Sequence, residues 1–165
     1  MCENLSLLKH CIPCKAKCCK TGKLIGTPIL SEDEASKVKK MADEHIKEVT
    51  SPTGEKYYTI LEQKGTQRCV FLTDKNKCRI QDIKPLDCLC YPIKAVHAGD
   101  AIKFIIDKDC PASKHLSKEF IEDAKKTALK SIKRFDKQTY QHWLDDYIGW
   151  VKNSGVELEQ FLASS

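Results

Sequence analysis

The stretch Cys11-Ile12-Pro13-Cys14-Lys15-Ala16-Lys17-Cys18-Cys19 sets four thiols within nine residues. Further along, Cys69-Val70-Phe71-Leu72, Cys78-Arg79-Ile80, Cys88-Leu89-Cys90 and Cys110-Pro111 add five more, and Cys2 completes ten in a chain of 165 residues. A chain of this length buries an ordinary core and does not depend on covalent staples. The opening MCENLSLLKH has no basic segment followed by an apolar run, and no stretch is apolar enough to span a bilayer, so the chain reads as cytosolic. In a reducing compartment, closely spaced cysteines read as metal ligands or redox groups in preference to disulfides.

The formal charge of +5 comes from 28 basic and 23 acidic side chains with thiols counted as neutral. A coordinating thiol is deprotonated, so two four-thiolate sites on divalent ions would bring the molecule to about +1. The basicity is then partly a counterweight to thiolate charge and a poor argument for nucleic acid.

Thiolate sulfur is a soft donor that suits zinc and iron–sulfur clusters. Cys11-x2-Cys14 is the spacing by which a tight loop turns two sulfurs onto one ion. Cys2 is terminal and Cys90 alternates with Cys88, so both are set aside. The predicted metal ligands are Cys11, Cys14, Cys18, Cys19, Cys69, Cys78, Cys88 and Cys110, as one polynuclear or two mononuclear thiolate sites. Adjacent residues of an extended segment point in opposite directions, so Cys18 and Cys19 could serve two sites, or one could be a reactive or an inert thiol. Zinc would close structural sites, and iron–sulfur clusters also take four cysteines.

The pattern Cys11-x2-Cys14-x3-Cys18-Cys19, followed by Cys69-Val-Phe-Leu, Cys78-Arg-Ile, Lys84-Pro-Leu-Asp-Cys88-Leu-Cys90-Tyr-Pro92 and Cys110-Pro111, resembles the cysteine-cluster family of zinc- or iron-chelating domains with a CxxCxxCC-type signature. The resemblance covers roughly residues 8–112 and implies metal chelation by the clustered cysteines. A flagellin lysine methylase is similar across this domain and is associated with an iron–sulfur cluster, which keeps a redox or alkyl-transfer enzyme, or an electron carrier, as the alternative. This chain departs from the family pattern at Lys84 and Leu89, where arginines are usual. If those arginines neutralise the site or bind an anion, the departure implies a weaker version of that role.

The expected fold is α+β: a small, irregular, cysteine-rich, metal-organised domain over 1–112 with short hairpins, and a C-terminal helical extension over 113–165 packed on it. Residues 24–30 read as extended. Ser31 and Glu34 form a capping box opening a helix with Ala35, Val38, Met41, Ala42, His45 and Ile46 at helical spacing, expected to run to about residue 48. Residues 50–55 are turn chemistry, Tyr57 to Gln63 read as a strand, and Cys69 to Leu72 with Cys78 to Ile80 as a hairpin. A short helical turn from Ile80 should end at Pro85. A second hairpin flanks Ala98-Gly99-Asp100, and amphipathic helices cover 114–136 and Thr139 to Lys152, with Gly155 as a stop.

Other candidates have ordinary explanations. His10 beside Cys11 reads as a solvated neighbour more readily than as a spare ligand, and His45 and His142 as helix-surface or core-edge residues. Asp87 and Asp109 read as turn residues, although either could orient a neighbouring cysteine ligand. The lysines between Lys114 and Lys137 could track a phosphate backbone, but no stacking aromatics are interleaved, and a solvated helix face accounts for them. A nucleic-acid accessory protein over structural zinc is thus the weaker alternative. The Trp143 to Trp150 stretch is expected to pack the helical pair onto the cysteine domain. No nucleophile–base pair, phosphate loop or dinucleotide fingerprint appears.

Overall fold

The structure, a computed structural model, describes residues 13–20, 27–107 and 110–153, with side chains described as far as 145. Cys2, His10, Cys11, Asp109, Gly155 and the side chain of Trp150 lie outside the described residues, as does the 24–26 part of the expected extended segment. The fold is α+β, with two small antiparallel sheets, short hairpins and helices toward the C-terminus.

The central sheet runs in the order β1 (Ile29–Leu30), β3 (Lys56–Ile60), β2 (Ile46–Thr50). Side chains alternate across it as strand geometry requires. Ile29, Val49 and Tyr57 face one side, while Leu30, Ile46, Tyr58 and Ile60 face the other. Helix α1 (Glu32–Ala42) covers the second face through Ala35 and Val38. The first face meets Ala128 and Ile132 of helix α3 (Lys118–Ile132), Phe135 of the link that follows, and Tyr140 and Trp143 of helix α4 (Lys137–Asn153). Both the cysteine-bearing part and the helical extension therefore contribute to this apolar cluster.

α1 starts where the capping box predicts, and Ser31 N–H donates to Glu34 Oε2 at 3.1 Å. It stops at Ala42, not near residue 48. A 3-10 turn, Asp43–His45, follows, and Ile46–Thr50 is strand β2. Helical spacing in this segment loses to strand pairing: the 51–55 turn folds β2 back on β3 in a five-residue register from Ile46↔Ile60 to Thr50↔Lys56. His45 packs edge-on against Phe71 at 5.7 Å, and Met41 stays 58% exposed, so no buried helical stripe extends past Val38.

The expected hairpin between Cys69 and Ile80 is present as a single antiparallel bridge, Leu72↔Cys78, flanked by Thr73 N–H donating to Lys77 O and Arg79 N–H to Phe71 O, both at 2.9 Å, without a longer ladder. Side chains satisfy other carbonyls of this segment: Arg79 Nη2 donates to Val70 O at 2.6 Å, and Gln63 Nε2 to Cys69 O and Leu72 O at 3.1 and 2.9 Å. The helical turn ahead of Pro85 is a 3-10 turn, Gln81–Ile83. Past Pro85 lies a four-residue helix not expected from the sequence, α2 (Leu86–Leu89). The second hairpin, β4 (Ile93–Ala98) with β5 (Ala101–Ile106), turns where Gly99 takes φ +63°, the left-handed conformation that a two-residue hairpin turn uses.

α3 begins at Ser117, whose Oγ accepts from Phe120 N–H at 3.1 Å. A 3-10 turn, Pro111–His115, occupies the start of the segment expected to be helical. The buried stripe Phe120, Ala124, Ala128, Ile132 is the one its spacing predicts. α4 docks by Tyr140 Oη to Ala95 O at 2.9 Å and Trp143 Nε1 to Thr27 O at 3.1 Å, the packing expected of its aromatic stretch.

Candidate metal centre

Cys18, Cys19, Cys69, Cys78 and Cys88 line one cavity of about 70 Å³ at the end of the central sheet where β1 enters and β3 leaves. Thr27, Pro28, Ile60, Leu61 and Ile80 supply much of the apolar wall, and Lys84, Asp87, Tyr91 and Lys94 the polar part. The five thiols arrive on three segments: the N-terminal loop, the 69–80 loop and α2.

Each segment is aimed by local structure. Lys15 and Ala16 both hold left-handed φ, +54° and +53°, reversing the chain just before the 3-10 turn Lys17–Cys19. Such a conformation costs residues with a Cβ about 1–2 kcal/mol each. The doublet is therefore in a turn and not extended, and Cys18 and Cys19 do not face opposite ways: their sulfurs lie 4.0 Å apart on the same cavity. Cys69 N–H donates to Cys19 O at 2.7 Å, tying the N-terminal loop to the second group. Cys88 sits on α2, where Leu86 N–H donates to Glu34 Oε1 at 2.7 Å.

The cavity keeps these thiols close enough to sense one another. Burial pushes Cys69 up to about 12, with negative charge at Cys19 and Cys78 adding to it. Burial, then Asp87, Cys19 and Cys69, push Cys88 far up. Burial also raises Cys78. Within the doublet, a hydrogen bond from Cys18 brings Cys19 down to about 7, against burial and with help from Lys84 and Lys20, while Cys18 is held well up. One thiolate is thus favoured, and further ones repel it in a water-poor space. A soft cation reverses that balance, because a coordinating thiol loses its proton outright.

The other predicted ligands are placed differently. Cys14 is half-buried on the N-terminal loop and is not on the cavity wall. Cys110 is buried ahead of the turn Pro111–His115, also off the wall, although its charge is felt at Tyr91, which lines it. Cys11 is outside the described residues. Cys90 points into the core, its Sγ donating to Asp87 O at 3.4 Å. Cys14, Cys18, Cys19, Cys69, Cys78, Cys88 and Cys90 are thiols, not disulfides. Among the described residues, no three His, Cys, Asp or Glu side chains are already drawn around a common point as ligands to one ion.

Lys94 and Tyr91 on the wall escaped the sequence reading, and Asp87 was read there as a turn residue that could orient a neighbouring ligand. Asp87 is not an ordinary turn residue: it is 6% exposed and accepts from Lys94 Nζ at 3.2 Å through both carboxylate oxygens. Lys94, 7% exposed, also lies over the Trp143 ring at 4.7 Å. The signal lay in the position of Asp87 beside Cys88, but its partner is seven residues away across a turn. Tyr91 Oη donates to Asp107 Oδ2 at 2.7 Å, and burial with that carboxylate pushes the phenol far up. Among the described residues no helix is long and apolar enough to cross a membrane. No family model, curated protein or solved structure matches this chain.

Proposed function

We propose that the protein binds zinc or iron through clustered cysteine thiolates, in one polynuclear site built on Cys18, Cys19, Cys69, Cys78 and Cys88. The observation that carries this reading is the convergence of five thiols from three segments on one cavity. The 4.0 Å between Cys18 and Cys19 sulfurs also suits two ligands of one ion, since Zn–S bonds of ~2.3 Å set a tetrahedral edge of ~3.8 Å. The cysteine spacing supports membership of the cysteine-cluster family of chelating domains. Zinc bound there would act as a structural centre that adds directly to folding free energy.

A second reading, an iron–sulfur protein with electron-carrier or redox or alkyl-transfer activity, is favoured by the size of the cavity. One buried water needs roughly 10–15 Å³ of such space. The space here, about 70 Å³, is several times that. Five wall thiols also exceed by one the four that a cluster takes. The nucleic-acid reading gains no such support, because Lys125 and Lys126 pair with Glu122 and Asp123 on their own helix.

Purification without air, followed by assay of zinc, iron and labile sulfide per chain with a visible spectrum, tests the proposal. Colourless protein with zinc supports the structural centre. A brown sample with iron and sulfide supports the cluster. Protein carrying neither metal, and taking up neither on reconstitution, sinks both.

A further inference from the structure

Among the described residues the cavity wall carries two lysines, of which Lys94 is answered by a carboxylate and Lys84 is not. Lys94 meets both oxygens of Asp87 at 3.2 Å and the face of Trp143. Lys84 lines the same wall half-buried, and among the described residues its ammonium makes neither an ion pair nor a hydrogen bond. A cation withdrawn from solvent without a counter-charge is unfavourable unless something in the site supplies one.

We infer that Lys84 is the counter-cation of the thiolate site, placed to offset the negative charge that the cysteines carry once they hold metal. This rests on the metal-binding reading above. Four thiolates on a divalent ion leave a net charge of about −2. The Asp87–Lys94 pair cancels itself, so Lys84 is the wall charge left to reduce it.

The backbone makes the placement firm. Lys84 holds φ −53° and ψ 137°, the extended conformation that a following proline imposes, and Pro85 is fully buried. Pro85 also opens α2, so the turn that delivers Cys88 delivers Lys84. The alternative is a lysine that merely edges toward solvent, and it predicts no effect beyond loss of one positive charge anywhere on the surface.

Zinc affinity, measured by competition with a chromophoric chelator on the reduced full-length chain, separates the two. The comparison takes wild type, K84M, K84R and K47M, the last removing an exposed lysine on β2. The expected result is about 10–100-fold weaker zinc binding in K84M, the usual size of effect for a group supporting metal ligands. K84R should restore most of the affinity and K47M should match wild type. Equal affinity in K84M and K47M overturns the inference, and so does a K84R as weak as K84M, because charge would then not be the cause. Should K84M fail to fold by circular dichroism, K84Q carries the same comparison. Wild-type protein that binds neither zinc nor iron removes the metal reading and this inference with it, whereas metal-binding wild type with an unaffected K84M removes this inference alone.

Discussion

Cys69 N–H donates to the carbonyl oxygen of Cys19 at 2.7 Å, and this bond joins two cysteine groups fifty residues apart in sequence. It places the 69–80 loop against the N-terminal turn, so that Cys69 and Cys78 share a cavity with Cys18 and Cys19. Cys88 joins them on the cavity wall from α2. The metal-binding proposal depends on this juxtaposition more than on the number of cysteines.

Cys88 and Cys90 offer a sharp contrast, being two residues apart with only Cys88 on the cavity. Cys88→Ser should lower bound metal per chain in the anaerobically purified protein. Cys90→Ser should keep the metal and lose about 1–2 kcal/mol of stability, since a hydroxyl replaces a core thiol but can still donate to Asp87 O. Equal metal content in the two variants would argue that Cys88 is not a ligand.

Glu34 links three elements. Its carboxylate accepts from Ser31 N–H, from Leu86 N–H at 2.7 Å and from Arg134 Nη1 at 2.7 Å. Glu34→Ala should cost about 3 kcal/mol in urea denaturation, because hydrogen bonds to a charged group are lost and Arg134 is left without its carboxylate. Glu34→Gln should cost less, as an amide oxygen still accepts from one of these donors. A loss below about 0.5 kcal/mol for Glu34→Ala, the scatter of ordinary surface substitutions, would contradict this account.

The Asp87–Lys94 pair should show strong coupling. Removing either partner leaves an uncompensated buried charge, a loss of about 3–5 kcal/mol. The double variant Asp87→Ala, Lys94→Met should be less destabilised than the sum of the singles, giving a coupling of roughly 1–3 kcal/mol in a double-mutant cycle. Additive losses would mean that the ion pair is not the source of the effect.

Asp136 ties α4 to the β2–β3 turn. Its Oδ1 accepts from Thr139 N–H at 2.7 Å, and its Oδ2 from Thr53 Oγ1 at 2.8 Å and Thr139 Oγ1 at 2.9 Å. The Thr139 N–H, assisted by the two hydroxyls, holds the carboxyl down at about 2. The folded value lies below the unfolded value of about 3.9, so this contribution is complete above about pH 4 and disappears as pH falls through 2. The stability gap between wild type and Asp136→Asn should therefore be largest above pH 4 and narrow toward pH 2, by a small amount because the carboxylate is exposed to solvent. A gap independent of pH across that window would exclude the carboxylate charge as its origin.

Local patterns made much of the fold legible. Ser31 with Glu34 marked the start of α1, Gly99 marked the turn of the β4–β5 hairpin, and the apolar stripe from Phe120 to Ile132 marked α3, because caps, turns and helical periodicity are written within a few residues. Ile46 to Glu48 was misread as the end of a helix because its periodicity competed with strand partners ten to fourteen residues on, in a register that local spacing does not express. The 69–80 hairpin was legible only in part: Leu72 and Cys78 pair as one antiparallel bridge, while Arg79 and Gln63 side chains, which local pattern does not announce, satisfy the carbonyls of Cys69, Val70 and Leu72.

The sequence by itself determined that the molecule is α+β and that its cysteines fall in two groups along the chain. Tertiary structure alone decided which thiols meet. It brought five to one cavity, turned Cys90 into the core, gave Lys94 a carboxylate partner and put Lys84 on the cavity wall with none among the described residues. The physical reason is distance along the chain: spacing specifies how one loop can present sulfur, whereas the sheet, the Cys19–Cys69 hydrogen bond and the Glu34 anchor of α2 specify where the loops come together.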